Sequence, residues 1–356
     1  ELADFNHEAA VATYLREVTD VRNDSIDRWM FVSGTDWSRK FKVEGYYVRI
    51  APDDAGAGES GGTGAQKDVH VKNVAAAEGS RRAIHLVSPD ALALVRFGLR
   101  AADDPRIRDT AKVIDGLLKV ETPNGATWHR YNDDGYGEHE DGSPFDGTGI
   151  GRGWPLLTGE RAHYELAAGR AEVARQLLAA MESFANDSGF ISEQVWDGPD
   201  IGERELECGR PSGSAMPLVW AHAEYLKLQR SLRDGRLFDL PLQTVQRYLK
   251  EKIVSSRMIW RFNHKLRSLP PGKILRVETL APAVIHWSAD DWKTCRDVKT
   301  DDTGFGIHLV DLATEELAEG KQIKLTFYWP DAKRWEGVDF VVHVATAAKG
   351  GKAHEQ

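Results

Sequence analysis

The chain has 356 residues and a mass of 39.6 kDa, which is enough for two domains with separate hydrophobic cores. Hydrophobic residues make up 41% and charged residues 28% of the sequence, a composition that excludes a disordered or fibrous protein. The net charge is −9, which leaves no basic excess for binding nucleic acid, and no apolar stretch approaches the roughly 20 residues of a membrane helix.

The first part of the chain is predicted to begin with a helix. Apolar residues at helical spacing predict a helix over residues 1–30, with a break where Asp24 and Ser25 offer a new N-cap. Residues 41–50 alternate and predict a strand or hairpin. Residues 53–66 are rich in Gly, Ala, Asp and Ser, so we expect a mobile loop there.

Residues 88–251 are predicted to form several helices joined by polar loops. Ser88 and Asp104 each precede a proline, the usual start of a helix. A polar, glycine-containing segment at 121–153 separates these helices from later ones predicted at 155–168, 171–186, 213–229 and 241–251. In the helix at 213–229, the apolar stripe is predicted to be Met216, Val219, Trp220 and Ala223. Helices paired along the sequence predict a bundle, a superhelix or a toroid, and in a toroid the 121–153 loop would line the active cleft.

The periodicity changes after Pro270. Alternating residues predict strands at 273–277, 284–287, 323–329 and 340–344, with Gly, Asp and Pro in the turns. We therefore predict a small antiparallel β-sandwich. The predicted organisation is a helical domain at 1–267, a β-sandwich domain at 268–346 and a flexible tail at 347–356.

Tryptophan and cysteine content bear on function. The eleven tryptophans suit either a large core or carbohydrate binding, because indole faces stack on sugar rings. Cys208 and Cys295 match no zinc or redox spacing, and whether they pair stays open. His129 and His139 have no companion histidines at ligand spacing, so we expect surface residues and no metal site. No cofactor is expected, and carboxylates at 133–146 could hold a structural calcium ion or be solvated.

Two segments could carry chemistry. Residues 128–138 combine aromatic side chains, an arginine and several acids in a glycine-containing loop, which suits either a sugar subsite or a solvated loop that caps the next helix. In the segment 189–197, Glu193 lies beside Gln194 and Trp196. This glutamate could be a structural cap, or a carboxylate that takes a proton from water.

Several sequence motifs, taken together, resemble the bacterial branch of glycoside hydrolase family 15, the glucoamylases and glucodextranases. The resemblance extends from about residue 26 to 345 and includes the strands around Trp287 and Trp329. The matching motifs are ADDP at 102–105, RYNDDGY at 130–136, WPLLTGER at 154–161, SEQVWD at 192–197 and SAMPLVW at 214–220.

This resemblance implies an (α/α)6 toroid that removes glucose from the non-reducing ends of α-glucans with inversion of configuration. Glu193 matches the general base, while Arg130 and Asp134 match the loop that binds hydroxyls of the terminal glucose. Trp154 and Trp220 match aromatic residues near the pocket wall. The remaining expected substrate-binding residues in these motifs are Tyr131, Trp128 and Trp196. We expect Glu160 and Arg161 to form a structural pair.

The chain also departs from the family pattern. The family's general acid lies in a Trp-Glu-Glu motif that is absent here, and Glu1, Glu8 and Glu17 lack the aromatic context. About half of the twelve toroid helices are predicted, and the sequence starts without a methionine or a signal-peptide pattern, as if after processing or as a fragment. We therefore expect a second polypeptide, or the rest of a precursor, to supply the earlier helices and the acid.

The expected location is extracellular or periplasmic, since polymeric glucan is found there. Two other functions are compatible with the sequence. One is glucosyl transfer on the same fold, with an acceptor sugar in place of water. The other is a non-catalytic carbohydrate-binding or assembly subunit.

Overall fold

The structure is a computed structural model that describes residues 2–51, 65–75 and 79–345. The predicted tail at 347–356 and most of the predicted loop at 53–66 lie outside the described residues. The described chain divides into two compact units. The helical unit contains residues 29–51, 65–75 and 79–252, and the β unit contains residues 2–28 and 253–345.

The elements follow the predicted change from helices to strands. The helices are α1 (Leu2–Phe5), α2 (Ala9–Met30), α3 (Asp36–Phe41), α4 (Ala93–Arg96), α5 (Pro105–Leu118), α6 (Pro155–Ala167), α7 (Ala171–Ser183), α8 (Val219–Asp234) and α9 (Leu242–Thr244). The strands of the helical unit are β1 (Phe31–Ser33), β2 (Gly45–Tyr47), β3 (Asp68–His70), β4 (Ser80–Arg82), β5 (Lys119–Thr122) and β6 (Gly125–Trp128). The strands of the β unit are β7 (Arg257–Trp260), β8 (Ser268–Leu269), β9 (Ile274–Thr279), β10 (Val284–Ser288), β11 (Arg296–Lys299), β12 (Asp301–Asp302), β13 (His308–Leu312), β14 (Gln322–Trp329), β15 (Arg334–Trp335) and β16 (Phe340–Val344).

Helix starts that carry an N-cap and a proline were predicted accurately. Asp104 accepts a hydrogen bond from Arg106 N at 2.8 Å at the start of α5. Ser88 likewise accepts from Asp90 N at 3.1 Å, although the helical turn there is a short 3-10 segment followed by α4. α6 ends just before Gly169, whose φ of +78° suits glycine.

Three helix predictions are wrong in detail. α2 runs without a break through Asp24, and the interruption lies between α1 and α2. α8 begins at Val219 rather than near 213, because residues 213–218 adopt an irregular path beside residues 191–194. Its buried side chains include Ala221 and Leu228, so Val219 and Trp220 of the predicted apolar stripe are exposed instead. Residues 245–250 form a π-helix after α9.

The helical unit is centred on α6, which packs against α7 and α8. Ten of the thirteen residues of α6 are buried, so this helix is covered on nearly all sides. Charged groups inside the packing are paired: Glu224 Oε1 of α8 lies 2.8 Å from His163 Nδ1 of α6 and 2.7 Å from Arg96 Nη1. None of the helices in the described ranges combines the length and the hydrophobicity that a membrane span requires.

The β unit is the predicted sandwich, with mixed rather than purely antiparallel sheets. One sheet has the order β11-β10-β14-β16-β8, with β15 paired to β14, and the other has the order β12-β13-β9-β7. Inward-facing residues of both sheets form one core, which includes Trp260, Leu275, Ile285 and Phe327. The pairs β7–β9 and β16–β8 are parallel.

The predicted domain boundary at 267/268 falls inside the β unit. β7 lies before it and pairs with β9, from Arg257 opposite Ile274 to Trp260 opposite Val277. The first helices also belong to this unit, and Glu17 of α2 accepts a hydrogen bond from Arg276 Nη1 at 2.6 Å. These long-range pairings leave no pattern in the local sequence. Pro270 and Pro271, in contrast, are a strong local signal for a break between elements, and the predicted boundary lies beside them.

Candidate active site

Glu193 lies in an irregular segment that hydrogen bonds fix on both sides. Its backbone N donates to Ala215 O at 2.8 Å, and Gln194 N donates to Ser214 Oγ at 2.9 Å. Two residues further along the chain, Val195 forms isolated β-bridges with Gly153 and with Pro211. The general-base candidate is therefore held between the loop before α6 and the loop before α8.

The side chain of Glu193 lines a cavity of about 700 Å³ in the helical unit. Tyr136, Phe145 and Glu138 line the same cavity, and the ring centroids of Tyr136 and Phe145 are 5.1 Å apart, edge to face. This volume lies in the 300–1,000 Å³ range typical of small-molecule sites. The cavity combines ring faces with carboxylates, as a sugar site requires.

The environment of Glu193 shifts its protonation equilibrium. Burial raises the pKa of Glu193 above its ordinary value, and the nearby Glu138 acts in the same direction. Tyr136 and Arg130 act against this: the Tyr136 hydroxyl donates to Glu193 Oε2 at 3.4 Å, and Arg130 adds a positive charge. A carboxylate with a raised pKa is a stronger base once it is ionised.

Arg130 is positioned by Asp134 through a bidentate ion pair. Arg130 Nε donates to Asp134 Oδ2 at 2.7 Å, and Nη2 donates to Oδ1 at 2.9 Å. The guanidinium carbon lies 4.9 Å from the ring centroids of both Tyr136 and Trp154. Nη1 is not engaged by Asp134. The Asp134 side chain is almost completely buried, so it orients Arg130 rather than offering a surface for sugar hydroxyls.

A second polar network lies behind the cavity and was not predicted from the sequence. Asp197 Oδ2 lies 2.6 Å from His129 Nε2 and accepts from Gly153 N at 3.0 Å, while Oδ1 accepts from Arg152 Nη1 at 3.2 Å. Arg152 Nη2 also donates to the carbonyl oxygens of Glu138 and His139. This network fixes the loop that carries Tyr136 and Glu138. The SEQVWD motif contained Asp197, but no local pattern indicated its partners.

Among the described residues, no three His, Cys, Asp or Glu side chains cluster so that they could hold a metal ion. His139 Nε2 lies 3.3 Å from Asp146 Oδ1. Cys208 and Cys295 are free thiols.

Comparison with known proteins assigns the family. The model of glycosyl hydrolases family 15 matches residues 4–230, which is more than half of the chain. The chain belongs to this family. A glucoamylase from Clostridium sp. (strain G0005) is 48% identical over 164 residues, which are 46% of this chain and 22% of that protein.

One solved structure, that of a bacterial glucoamylase, is similar to this chain over more than half of its length. The crystal structure of a bacterial glucoamylase complexed with acarbose is 39% identical, covers 69% of this chain and 33% of that one, and has a TM-score of 0.60. A structure named wild-type glycosidase is 28% identical over 44% of this chain and 37% of that one, with a TM-score of 0.31. The matched region thus spans about a fifth to a third of the two glucoamylases.

The aromatic residues of the family 15 motifs have different surroundings from those expected. Trp196 is 0% exposed and its Nε1 donates to Pro199 O at 2.7 Å, so it supports the site from the core and cannot stack on a sugar. Trp128 is also buried, and its Nε1 donates to Asp115 Oδ1 at 3.0 Å. Both rings therefore pack inside the fold. Whether a tryptophan of a motif is buried or faces the substrate depends on tertiary packing, which the motif does not reveal.

The other three aromatic candidates are divided between core and surface. Tyr131 is buried, with the Arg49 guanidinium 4.0 Å from its ring centroid. Trp154 is buried against Arg130, and its Nε1 has no hydrogen-bond partner among the described residues. Trp220 is 58% exposed in the first turn of α8. The structure therefore adds Tyr136 to the cavity wall, where the sequence suggested tryptophans.

The expected pair between Glu160 and Arg161 does not form. Arg161 instead donates from Nε to Glu165 Oε1 at 2.7 Å and from Nη2 to Asp115 Oδ2 at 2.9 Å. Burial and the neighbouring Glu224 raise the pKa of Glu160 to about 7. Adjacent residues on a helix point in different directions, so Glu160 and Arg161 are not placed to pair with each other.

Proposed function

We propose that this chain is part of an exo-acting, inverting α-glucosidase of the glucoamylase or glucodextranase type. In this proposal Glu193 is the general base and the 700 Å³ cavity receives the terminal glucose of an α-glucan. The observation that carries the proposal is the partly buried Glu193 carboxylate on the wall of that cavity, with Tyr136 and Arg130 beside it. Family membership and the two glucoamylase relatives support it.

The chemistry follows from these positions. Inverting hydrolysis needs a base that activates water on the side of the sugar opposite the leaving group. Ionised Glu193 takes the proton of that water, and the oxygen then attacks the anomeric carbon as the glycosidic bond breaks. Arg130, fixed by Asp134, presents N–H donors to sugar hydroxyls. Tyr136 holds the Glu193 carboxylate in position through its hydroxyl.

The proposal places the general acid outside these 356 residues. It protonates the leaving oxygen, and the two carboxyl groups of an inverting enzyme are about 6.5–9.5 Å apart. We propose that the acid and the remaining helices of an (α/α)6 toroid are supplied by a second polypeptide or by another part of a longer precursor. The absence of a Trp-Glu-Glu motif from the sequence motivates this step. The substrate class suggests action outside the cell or in the periplasm.

A substrate that needs no general acid tests Glu193 in the chain as it exists. Fluoride leaves α-glucosyl fluoride without protonation, so hydrolysis depends mainly on the base. We expect fluoride release by the wild-type chain, and a loss of about 10²–10⁴-fold in kcat for Glu193→Gln. Glu203→Gln is the matched control, because Glu203 is an exposed carboxylate lining the same cavity.

Each alternative function predicts a different result. A transferase gives glucosylated acceptors in place of free glucose when maltose is added as acceptor. A non-catalytic subunit releases no fluoride above the buffer rate, with or without Glu193. Equal turnover of Glu193→Gln and the wild type would overturn the assignment of the base.

A further inference from the structure

The larger sheet of the β unit carries aromatic side chains on the face that points away from the core. Alternate residues of β10 and β14, such as Ile285 and Phe327, are buried in the sandwich. The residues between them point outward, and they include His286 and Tyr328. Together with Trp335 of β15 and Trp292 of the β10–β11 loop, they form a group of partly or fully exposed rings. We call these four residues the aromatic platform.

The four rings contact one another in sequence across the sheet. His286 and Trp292 are stacked, with ring centroids 5.3 Å apart and planes 12° apart. The Trp335 ring lies 5.7 Å from His286, edge to face, and 5.4 Å from Tyr328. The platform uses residues from β10, β14 and β15 and the adjoining loop, so it is about 10–15 Å wide at a strand spacing of about 4.8 Å. Two or three sugar rings fit along that width.

Trp335 is unusually exposed, and Trp292 has an unusual backbone conformation. Trp335 is 52% exposed. Asp291 and Trp292 are consecutive residues with φ of +62° and +64°, a conformation that bulky side chains rarely adopt. Ser288 Oγ stabilises this turn by accepting from Trp292 N at 3.0 Å. The fold thus places the Trp292 indole over His286 at a cost in backbone energy, although it contributes little to the core.

The rim of the platform is rich in hydrogen-bond acceptors. Asp339 Oδ2 accepts from Trp292 Nε1 at 3.1 Å, and Asp297 Oδ1 lies 2.5 Å from His286 Nδ1. Asp291 forms an exposed ion pair with Lys324. Exposed carboxylates next to ring faces complement a neutral ligand with many hydroxyl donors. The negative charge of these carboxylates repels a phosphate-bearing ligand. Burying the same charge against an apolar protein surface would cost free energy.

We infer that the aromatic platform binds an α-glucan chain at a site distinct from the Glu193 cavity. Sugar rings stack on Trp335 and Trp292, and their hydroxyls donate to Asp297 and Asp339. The choice of α-glucan among polyhydroxylated ligands rests on the proposed function, whereas the existence of the site rests on the platform alone.

Native gel electrophoresis with soluble starch in the gel measures this binding on the full chain. We expect starch to retard the wild type, and Trp335→Ala and Trp292→Ala each to weaken the apparent affinity about tenfold, from the loss of one stacking surface. Phe305→Ala is the control, since Phe305 is an exposed aromatic of the same unit outside the platform. Trp335→Phe keeps a ring and should retain most of the retardation, which separates stacking from a folding defect.

Activity on α-glucosyl fluoride separates this site from the proposed function. Trp335→Ala should keep wild-type turnover of this small substrate, while Glu193→Gln should lose turnover and keep starch retardation. The inference would be overturned if starch retarded the platform variants as much as it retards Phe305→Ala. It would also be overturned if starch did not retard the wild type, or if hydroxyethyl cellulose retarded the wild type as much as starch does. Platform-dependent retardation without fluoride release would overturn the proposed function and leave the platform standing.

Discussion

Substitution of Asp197 tests whether the network behind the cavity holds the site together. The side chain of Asp197 is 5% exposed and contacts His129, Arg152 and the backbone of Gly153. Burial alone would raise the pKa of Asp197, but His129 and Arg152 outweigh it and the pKa is lowered. Asp197→Asn keeps the size of the side chain and removes the charge, which leaves the buried Arg152 guanidinium without its anionic partner.

The expected loss of stability follows from the burial of the Asp197–Arg152 ion pair. Removing one partner of a buried ion pair costs about 3–5 kcal/mol. With a urea m-value of about 2–3 kcal/mol/M for a unit of this size, the unfolding midpoint should fall by about 1–2.5 M. Glu172→Gln is the matched control, because its ion pair with Arg175 is exposed on both sides and such pairs contribute less than about 1 kcal/mol.

The effect of Asp197→Asn should depend on pH in a defined direction. Because the pKa of Asp197 is lowered by folding, the charge stabilises the wild type above the unfolded-state pKa near 3.8. That advantage is lost as the pH falls through the folded-state pKa. Urea unfolding followed by tryptophan fluorescence at pH 7 and at low pH measures the change. A midpoint shift at pH 7 no larger than that of Glu172→Gln would refute the reasoning.

Three further predictions concern a proton, a buried acid and a glycine. Tyr136→Phe should move the acid limb of the kcat/KM profile for α-glucosyl fluoride to higher pH, since the Tyr136 hydroxyl lowers the pKa of Glu193; an unmoved limb contradicts this. Glu160→Gln should stabilise the chain against urea, because ionising a carboxyl with a folded-state pKa of about 7 costs the wild type stability. The gain should grow from pH 4.5 to 7 and reach on the order of 3 kcal/mol at pH 8. A difference in stability that does not change with pH would contradict this. Gly149→Ala places a Cβ 1.9 Å from a backbone oxygen and should lower the free energy of unfolding by about 1–3 kcal/mol. In the control Gly202→Ala the new Cβ has no atom within 4 Å, so the free energy of unfolding should change by less than about 0.5 kcal/mol.

Local signals in the sequence were sufficient for much of the secondary structure. The cap and proline at Asp104 and the glycine at 169 mark helix ends by short-range chemistry, and both were located correctly. Period-two alternation located β10, β14 and β16. The parallel pairing of β7 with β9 joins distant segments, so no local pattern could reveal it, and the domain boundary was misplaced as a result.

In the candidate site, too, local motifs were informative and long-range contacts could not be predicted. The motifs pointed to Glu193 and Arg130; Glu193 lines the cavity, and Arg130 packs against the ring of Tyr136, which also lines it. Residue type alone could not separate an exposed tryptophan from a buried one. Trp196 was therefore expected at the substrate, although its ring lies in the core, and the role of Asp197 emerged only from its contacts across the chain.

The configuration of the first glucose released from α-glucosyl fluoride tests the central claim most directly. If Glu193 activates water for direct displacement, proton NMR of the early reaction shows β-glucose, which only later mutarotates. Glu193→Gln should suppress this signal together with fluoride release. Formation of α-glucose first, or β-glucose at an unchanged rate from Glu193→Gln, would contradict the account.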